Sequence, residues 1–297
     1  WNRIVELNTL TANDQVPFYL KIEFQIYDIK GKPGETGTAE VWWSQHRRYE
    51  VIASPSWNET FAPGEHDQPQ TRESYLIHAL IEQILHPMQS AKISPASKIV
   101  EADRKFGSTT LRCLSVDLAI PTSSPTSYCV DPANDQLRAY FDTGAFIVRN
   151  KMGKFRDTYA ALDITTSYGE NKAITGKIVT LKSIPADDEH IKSLSESVPT
   201  PDSKPHSGVQ PAKKLGGGPP EYPLSARMNH TKGTIVIHAT ISKEGNVASP
   251  IVIASPDTAL SEAAINAVRT WKYQSALLNG QPTEIDTVIE INFNLGP

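Results

Sequence analysis

Alternation of apolar and polar side chains near the end of the chain is the feature that most constrains its fold. In residues 284–295, one set of alternate positions is almost entirely apolar: Ile285, Thr287, Ile289, Ile291, Phe293 and Leu295. The positions between them include Asp286, Glu290, Asn292 and Asn294. Such alternation predicts a strand with one face on a core and the other in water.

The residues before this strand predict the rest of a small domain. Strands are expected over 234–241 and 247–254, with a turn at 243–246 between them. A helix ending at 271–273 carries Leu260, Ala264, Val268 and Trp271 on one stripe, which suits it to cover the apolar face of a sheet.

The order of these elements and their residues resembles a known family. The shared features are Tyr222-Pro223 with Ala226, Gly233, Lys243-Glu244-Gly245-Asn246-Val247, Ala263-Ala264, Ala267-Val268-Arg269, Trp271-Lys272-Tyr273, Ala276, Gly280-Gln281-Pro282, and Ile289, Ile291 and Phe293 on alternate positions. In this order, residues 215–297 are similar to the C-terminal domain of TonB, the energy transducer of the Gram-negative envelope.

The resemblance implies a binding function. In that family an extended peptide, the TonB box of an outer-membrane receptor, adds as a strand to an open sheet edge. By position, the expected contacts are Pro219, Pro220, Glu221, Tyr222 and Pro223, together with Glu290, Asn292 and Asn294 of the last strand. The alternative is that Tyr222 and Phe293 are packing residues, which is favoured for the inward-facing Phe293.

Location and further partners also follow from the resemblance. It implies the periplasm, a membrane anchor in the full-length precursor and, with such an anchor, inner-membrane partners of the ExbB/ExbD type. The sequence begins at Trp1, so such an anchor would precede it, and no apolar run approaches the roughly 20 residues of a membrane span. The net charge of -4 gives no reason to expect nucleic acid as a partner.

The two cysteines, Cys113 and Cys129, agree with an oxidising compartment. Each lies in a strand-like run, and the Pro- and Ser-rich stretch between them predicts a turn. Adjacent strands would bring the two thiols within bridging range, and a disulfide closing such a loop contributes roughly 3 kcal/mol. The alternative is a pair of buried thiols.

A Ser/Pro-rich linker is predicted over residues 186–214, because this stretch lacks an apolar pattern that could fold alone. It separates a domain over 1–185 from the C-terminal domain over 215–297. The first domain has predicted strands at 18–29, 37–43, 49–54, 109–118, 127–131, 137–142, 145–149, 160–166 and 176–181, with a helix at 73–85 stopped by Pro87. The predicted fold class is therefore α+β, with a curved antiparallel sheet or half-barrel wrapped around one helix.

The N-terminal pattern is similar in architecture to the half-barrel of the LolA and LolB lipoprotein carriers. That resemblance implies a concave face that holds lipid acyl chains, with a lining from Trp42, Trp57, Phe61, Leu76, Leu80 and Ile84. The alternative, that these side chains fill the core, is favoured. No short motif supports the comparison, so it concerns architecture alone.

Catalytic motifs give no support to an enzyme. His78, Glu82 and His86 share one face of the predicted helix, but the spacing of zinc-binding helices is missing and a polar surface explains the same residues. The Gly216-Gly217-Gly218 stretch is followed by two prolines and so cannot cradle a phosphate. We expect no metal and no other cofactor.

Three functions stay open. A periplasmic TonB-like protein that binds receptor segments, and transmits force if anchored, is favoured. The alternative is a lipid or lipoprotein carrier, or an envelope-assembly adaptor, that uses the half-barrel. A metal-dependent enzyme ranks last.

Overall fold

The computed structural model describes residues 1–12, 16–45, 47–61, 71–88, 98–117, 126–142, 144–196 and 209–295. An eleven-stranded antiparallel sheet dominates the first part of the chain. Its strands are β1 (Phe18–Tyr27), β2 (Pro33–Ser44), β3 (Arg47–Ala53), β4 (Asn58–Phe61), β5 (Lys98–Phe106), β6 (Thr109–Asp117), β7 (Thr126–Val130), β8 (Leu137–Asp142), β9 (Ala145–Phe155), β10 (Thr158–Tyr168) and β11 (Asn171–Ser183).

The strand order places β4 and β5 at the two outer edges and sets β1 beside β11 in the middle: β4-β3-β2-β1-β11-β10-β9-β8-β7-β6-β5. Helix α2 (Arg72–Leu85) follows β4 and precedes β5 in the chain, so this crossover joins opposite edges. The period-two pattern predicted for β1 is present, since Phe18, Leu20, Ile22, Phe24 and Ile26 are all buried. These side chains face the same core as α2.

Helix α2 packs on one face of the curved sheet. The Thr71 hydroxyl caps its start by accepting a hydrogen bond from the Ser74 N–H at 3.1 Å, and Pro87 follows its end. Its apolar stripe, which includes Leu76, Leu80 and Ile84, is completely buried. A Cβ atom at Gly176 of β11 would lie 2.8 Å from a Leu80 methyl carbon, so the missing side chain lets the helix lie directly on the sheet.

In the described residues up to 196, two shorter helices were not predicted. Helix α1 (Asn2–Asn8) buries the Asn8 amide, whose Oδ1 accepts from the Leu137 N–H at 2.8 Å. Helix α3 (Glu189–Glu196) lies within the stretch predicted as a linker, and packs Ile191 and Leu194 on the sheet face opposite α2. Residues 197–208 of that predicted linker lie outside the described residues.

The cysteines form the predicted disulfide. Cys113 on β6 and Cys129 on β7 are directly opposite in the antiparallel register, and their sulfur atoms are bonded. Both are buried in a small cluster with Leu111 and Ala139.

The C-terminal part is a separate set of elements. These are β12 (Val209–Gln210), β13 (Lys213–Gly216), α4 (Leu224–Met228), β14 (Gly233–Ile241), β15 (Val247–Ala254), α5 (Thr258–Val268), β16 (Lys272–Gln274), β17 (Ala276–Leu278), β18 (Gln281–Thr283) and β19 (Ile285–Phe293). Its main sheet has the order β15-β14-β19. Helix α5 ends before the predicted limit of 273, because Lys272–Gln274 pair with β13 instead.

The fold class is α+β, as predicted, with a large curved antiparallel sheet and a small C-terminal sheet domain. In the ranges described above, no helix has the length and apolar character needed to cross a bilayer.

Candidate peptide-binding site

Strand β19 forms one edge of the C-terminal sheet. On its inner side it pairs with β14 in an unbroken antiparallel register, from Gly233 opposite Phe293 to Ile241 opposite Ile285. Among the described residues, no strand pairs with the outer side of β19. The N–H and C=O groups along such an edge can accept an extended peptide as a further strand.

Apolar packing holds the strand in place. Ile289, Ile291 and Phe293 are buried on the face that meets α5. The α5 side of this core comes from Leu260, Ala264 and Val268, the stripe expected from the helical period, and Trp271 just beyond the helix completes it. The Asp257 carboxylate caps α5 by accepting from the Ala259 N–H at 2.8 Å. The backbone of β19 is therefore fixed before any partner arrives.

The opposite face of the sheet lies on the N-terminal domain. Val236 of β14 and Ile253 of β15 are 3% and 0% exposed and belong to the same core as α2. Val288 of β19 packs against this core, although its neighbours on that face, Asp286 and Glu290, are exposed as the alternation predicted. Strand β14 is thus buried on both faces, an arrangement that was not predicted from the sequence.

The first turn of α2 makes polar contacts across this boundary. Arg72 donates from Nε to the Ile253 carbonyl and from Nη1 to the Tyr27 carbonyl, both at 2.7 Å. One turn further, the Tyr75 ring lies 4.8 Å, between centroids, from the imidazole of His238. Burial raises the pKa of Tyr75 to about 12, and the carboxylates of Asp142 and Asp286 act in the same direction.

His238 is the titratable group at the centre of the contact. Its Nε2 lies 3.9 Å from Asp286 Oδ1, and the side chain is almost completely buried. Burial lowers the pKa of His238, against the opposing effect of the Asp286 carboxylate. The neutral imidazole is therefore the form that this contact accommodates.

Tyr222 joins the proline-rich segment to the end of β19. Its ring stands edge-on to Phe293 with centroids 5.4 Å apart, and its hydroxyl donates to the Thr231 carbonyl at 2.5 Å. Upstream, the Trp271 indole N–H donates to the Gly218 carbonyl at 2.9 Å. Residues 219–223 are thereby held in an irregular conformation beside the sheet.

The structure brings the two predicted contact regions together at this point. Of the predicted peptide-binding residues, five are exposed: Pro219, Glu221, Glu290, Asn292 and Asn294. Pro220, Tyr222 and Pro223 are half-buried, and Tyr222 packs against the core of the C-terminal domain. The side chain of Tyr222 therefore has a packing role whatever else it contacts.

The residues predicted to line a lipid cavity do not form one in the structure. Leu76, Leu80 and Ile84 fill the space between α2 and the sheet, and Trp57 and Phe61 pack beside them. Trp42 points to the opposite face, where it stacks on His190 of α3 at 4.0 Å between centroids, because Trp43 takes the inward position of this doublet.

A cavity of about 200 Å³ does lie between α2 and strands β8–β10, but none of the six predicted residues lines it. Its walls are mixed, with Tyr75, Tyr140 and Tyr168 beside Glu82, Gln83, His86 and Asp142, together with Ala79, Pro87, Ala145 and Ile147. A cavity of this size falls below the range of pockets that hold drug-sized ligands.

The polar face of α2 is an ion-pair cluster. Glu82 contacts Arg48 and, at 3.0 Å, His86 Nδ1. Burial works against ionisation of Glu82, but the hydrogen bond with His86 and the charge of Arg48 lower its pKa to about 2. His78 Nδ1 lies 3.4 Å from the buried carboxylate of Glu50. Within the described ranges, no group of His, Cys, Asp or Glu side chains is arranged to hold a metal ion.

Solved structures with some similarity match the N-terminal part. A DUF1329 family protein from Desulfovibrio piger gives a TM-score of 0.38 at 10% identity, covering 62% of this chain and 92% of that one. A LolA superfamily protein from Nitrosomonas europaea gives 0.34 at 6% identity, covering 62% and 93%. TM-scores this low do not establish a common fold.

The C-terminal part matches a family model described as the Gram-negative bacterial TonB protein C-terminal, over residues 218–295. Protein TonB of Vibrio cholerae is 31% identical over 77 residues, which are 26% of this chain and 32% of the relative. Protein TonB of Xanthomonas campestris is 31% identical over 78 residues, covering 35% of its length. The chain thus spans about a third of the length of these relatives. Its residues 218–295, which include the open edge of β19, are similar to the C-terminal domain of Gram-negative bacterial TonB proteins.

Proposed function

We propose that this chain is a periplasmic TonB-like protein that binds an extended segment of an outer-membrane receptor by strand addition to β19. The observation that carries the proposal is the outer side of β19, which no described strand pairs, in a domain similar to the TonB C-terminal domain. Main-chain hydrogen bonds along the edge supply affinity, and side chains on either face supply selectivity. No catalytic step is assigned to the chain.

The proposed contact surface runs along β19 to the proline-rich segment. Glu290, Asn292 and Asn294 present their side chains along the edge, and residues 219–223 lie beside its end. Tyr222 supports this surface by packing against Phe293, so its contribution to binding is not limited to direct contact with the peptide. The proposal includes a membrane anchor in the full-length precursor and inner-membrane partners of the ExbB/ExbD type. With these, the protein would transmit a mechanical force to the bound receptor segment.

The alternative of a lipid carrier has weaker support. The stripe of α2 that was predicted to line a lipid cavity packs directly on the sheet, with Leu80 against Gly176. An acyl chain would have to displace this packed core, because the neighbouring cavity holds only about 200 Å³.

Amide NMR of the full chain tests the proposal. Peptides from receptor N-termini should shift the resonances of residues 285–295 and 218–223 and leave those of β1–β4 unchanged. The sharper test uses peptides N-methylated at alternate residues, since only one set of N–H groups in an added strand faces the protein. One methylated series should lose binding and the other should retain it.

Two results contradict strand addition. One is the absence of any shift at millimolar peptide. The other is equal affinity of both methylated series, which would mean that the main chain of the peptide does not pair with β19. A peptide of the same composition in scrambled order, with a proline at its centre, serves as the control.

A further inference from the structure

The side of β19 that does not pair with β14 is called here its outer flank. The charged side chains along it are all acidic. Glu284, Asp286 and Glu290 are exposed, and the sequence contains neither Lys nor Arg after Lys272. Charged side chains on an edge strand favour some partners over others, because opposite charges on adjacent strands attract and like charges repel.

Asp286 and Glu290 stand on the same face of the strand. They are four residues apart, which places them about 14 Å apart along an extended chain. Between them, Val288 packs against the core shared with α2. The Asp286 side chain is 43% exposed, and one of its oxygens accepts from the Thr240 hydroxyl at 3.0 Å, so the carboxylate is held in a fixed position.

The N-terminal domain forms a second wall beside this flank. In the turn between β8 and β9, a Cβ atom at Gly144 would lie 3.1 Å from Glu290 Oε1 and 3.2 Å from a Val236 methyl carbon. The same turn begins at Asp142, an exposed residue that also lines the cavity beside α2. A turn of the N-terminal domain therefore borders the flank beside Glu290.

We infer that the peptide taken up by β19 carries two basic side chains four residues apart, with an apolar side chain midway between them. The inference rests on the proposed strand addition. A strand added to β19 places alternate side chains beside Asp286, Val288 and Glu290. The pattern basic–x–apolar–x–basic reads the same in both directions, so it holds whether the peptide runs parallel or antiparallel to β19.

Opposite charges on adjacent strands strengthen pairing, and like charges weaken it. Two such pairs correspond to an affinity about 2- to 30-fold higher than that of a peptide with neutral residues at the same positions. The walls are open to solvent, so raising the salt concentration should reduce this preference.

Fluorescence anisotropy with the full chain tests the inference. Three labelled peptides share one frame and differ only in a central segment: Lys-Thr-Val-Thr-Lys, Gln-Thr-Val-Thr-Gln and Glu-Thr-Val-Thr-Glu. The basic peptide should bind most tightly and the acidic one most weakly, with the difference shrinking at high salt. Glu290→Lys should reverse this order in part. Glu262→Lys, an equal charge change on the exposed side of α5, should preserve it.

Equal affinity of the three peptides, with amide shifts at β19 for each, would overturn the charge selectivity and leave strand addition standing. The charge selectivity is also overturned if Glu290→Lys and Glu262→Lys alter binding alike, because the effect would then come from net charge alone. If none of the three peptides binds, strand addition at β19 is itself refuted, and the selectivity with it.

Discussion

Arg72 and Ile253 connect the two halves of the chain: the guanidinium Nε of Arg72 donates to the Ile253 carbonyl at 2.7 Å. Arg72 is the first residue of α2, and its other nitrogen reaches the Tyr27 carbonyl. One side chain thus ties strands β1 and β15 to the same helix. Its contacts are with backbone atoms, so their strength depends on the relative position of the two domains.

Replacing Arg72 by Met should lower the free energy of unfolding by about 2 kcal/mol. The change keeps an apolar stem but removes the Arg72 donor from two partly buried carbonyl groups. Urea unfolding measures the loss, and amide exchange should rise first in β15. Arg3→Met is the matched control, since Arg3 is largely exposed and pairs only at 3.7 Å with Asp135. Equal losses in both variants would contradict a structural role for the Arg72 bridge.

Cutting the chain at a protease site inserted between residues 198 and 207 should leave the two halves associated. Independent folding of 1–185 and 215–297 was predicted from the sequence. The burial of Val236 and Ile253 in the N-terminal core adds the expectation of a stable contact between them. Size-exclusion chromatography of the cut protein provides the measurement. Two separately eluting fragments would argue against this contact in solution.

Removing the disulfide should destabilise the N-terminal domain by roughly 3 kcal/mol. The bond closes a segment with a sequence separation of 16 residues and therefore restricts the unfolded chain. Thermal unfolding with and without reductant measures the effect, and a Cys113→Ser, Cys129→Ser variant should not respond to reductant. An oxidised protein whose intact mass does not change on reduction would disprove the bond.

Stability should fall as the pH drops below about 6.5, through the titration of His238. Burial gives this imidazole a lower pKa in the folded state than the ordinary value near 6.5, so the unfolded chain binds more protons in this range. The stabilisation is complete above the unfolded pKa and is lost progressively as the pH falls towards the folded pKa. Glu82, with a pKa of about 2, titrates well below this window.

Urea unfolding between pH 5.5 and 8 isolates this effect when the wild type is compared with His238→Asn. The pH slope should be smaller in the variant, whereas His230→Asn, at an exposed position, should keep the wild-type slope. Identical slopes in all three proteins would mean that His238 does not set the pH dependence.

Tyr222→Ala should reduce stability by about 2–4 kcal/mol, because the ring packs against Phe293 and the cavity left behind is only partly refilled. Tyr222→Phe should lose only about 1 kcal/mol, the share of the hydrogen bond to Thr231. Thermal unfolding separates the two variants. If Tyr222→Ala weakened peptide binding without any loss of stability, the side chain would instead be a direct contact.

Local patterns predicted the strands and the helices that bury one face. The period of two located β1 and β19, and the apolar stripe located α2, because an element buried on one face repeats its apolar residues with the period of that element. The stretch that forms α3 was not predicted, because its apolar pattern is short: Ile191 and Leu194 pack on the sheet, and His190 stacks on Trp42.

Contacts between elements that are far apart in the sequence could not be predicted from local patterns. One signal for the buried second face of the C-terminal sheet was present: Ile235, Val236 and Ile237 form a continuous apolar run, which is typical of a strand covered on both sides. The Trp42–Trp43 doublet also indicated that both faces of its strand are covered. Adjacent residues of a strand point to opposite faces, so only one of the two rings could reach the side of α2.

The edge at β5, whose outer side pairs with no strand in the described part of the chain, bears on aggregation. This strand ends an eleven-stranded sheet, and Val100 on it is 62% exposed, so its backbone would be a template for another copy of the chain. Five of its nine residues are charged, however: Lys98, Glu101, Asp103, Arg104 and Lys105. Both signs of charge occur along this edge, and pairing a second copy with it would bring charged side chains into the contact at more than half of its positions. The large sheet can therefore end in water without growing into a fibre, while the acidic edge at β19 stays open to a strand of opposite charge.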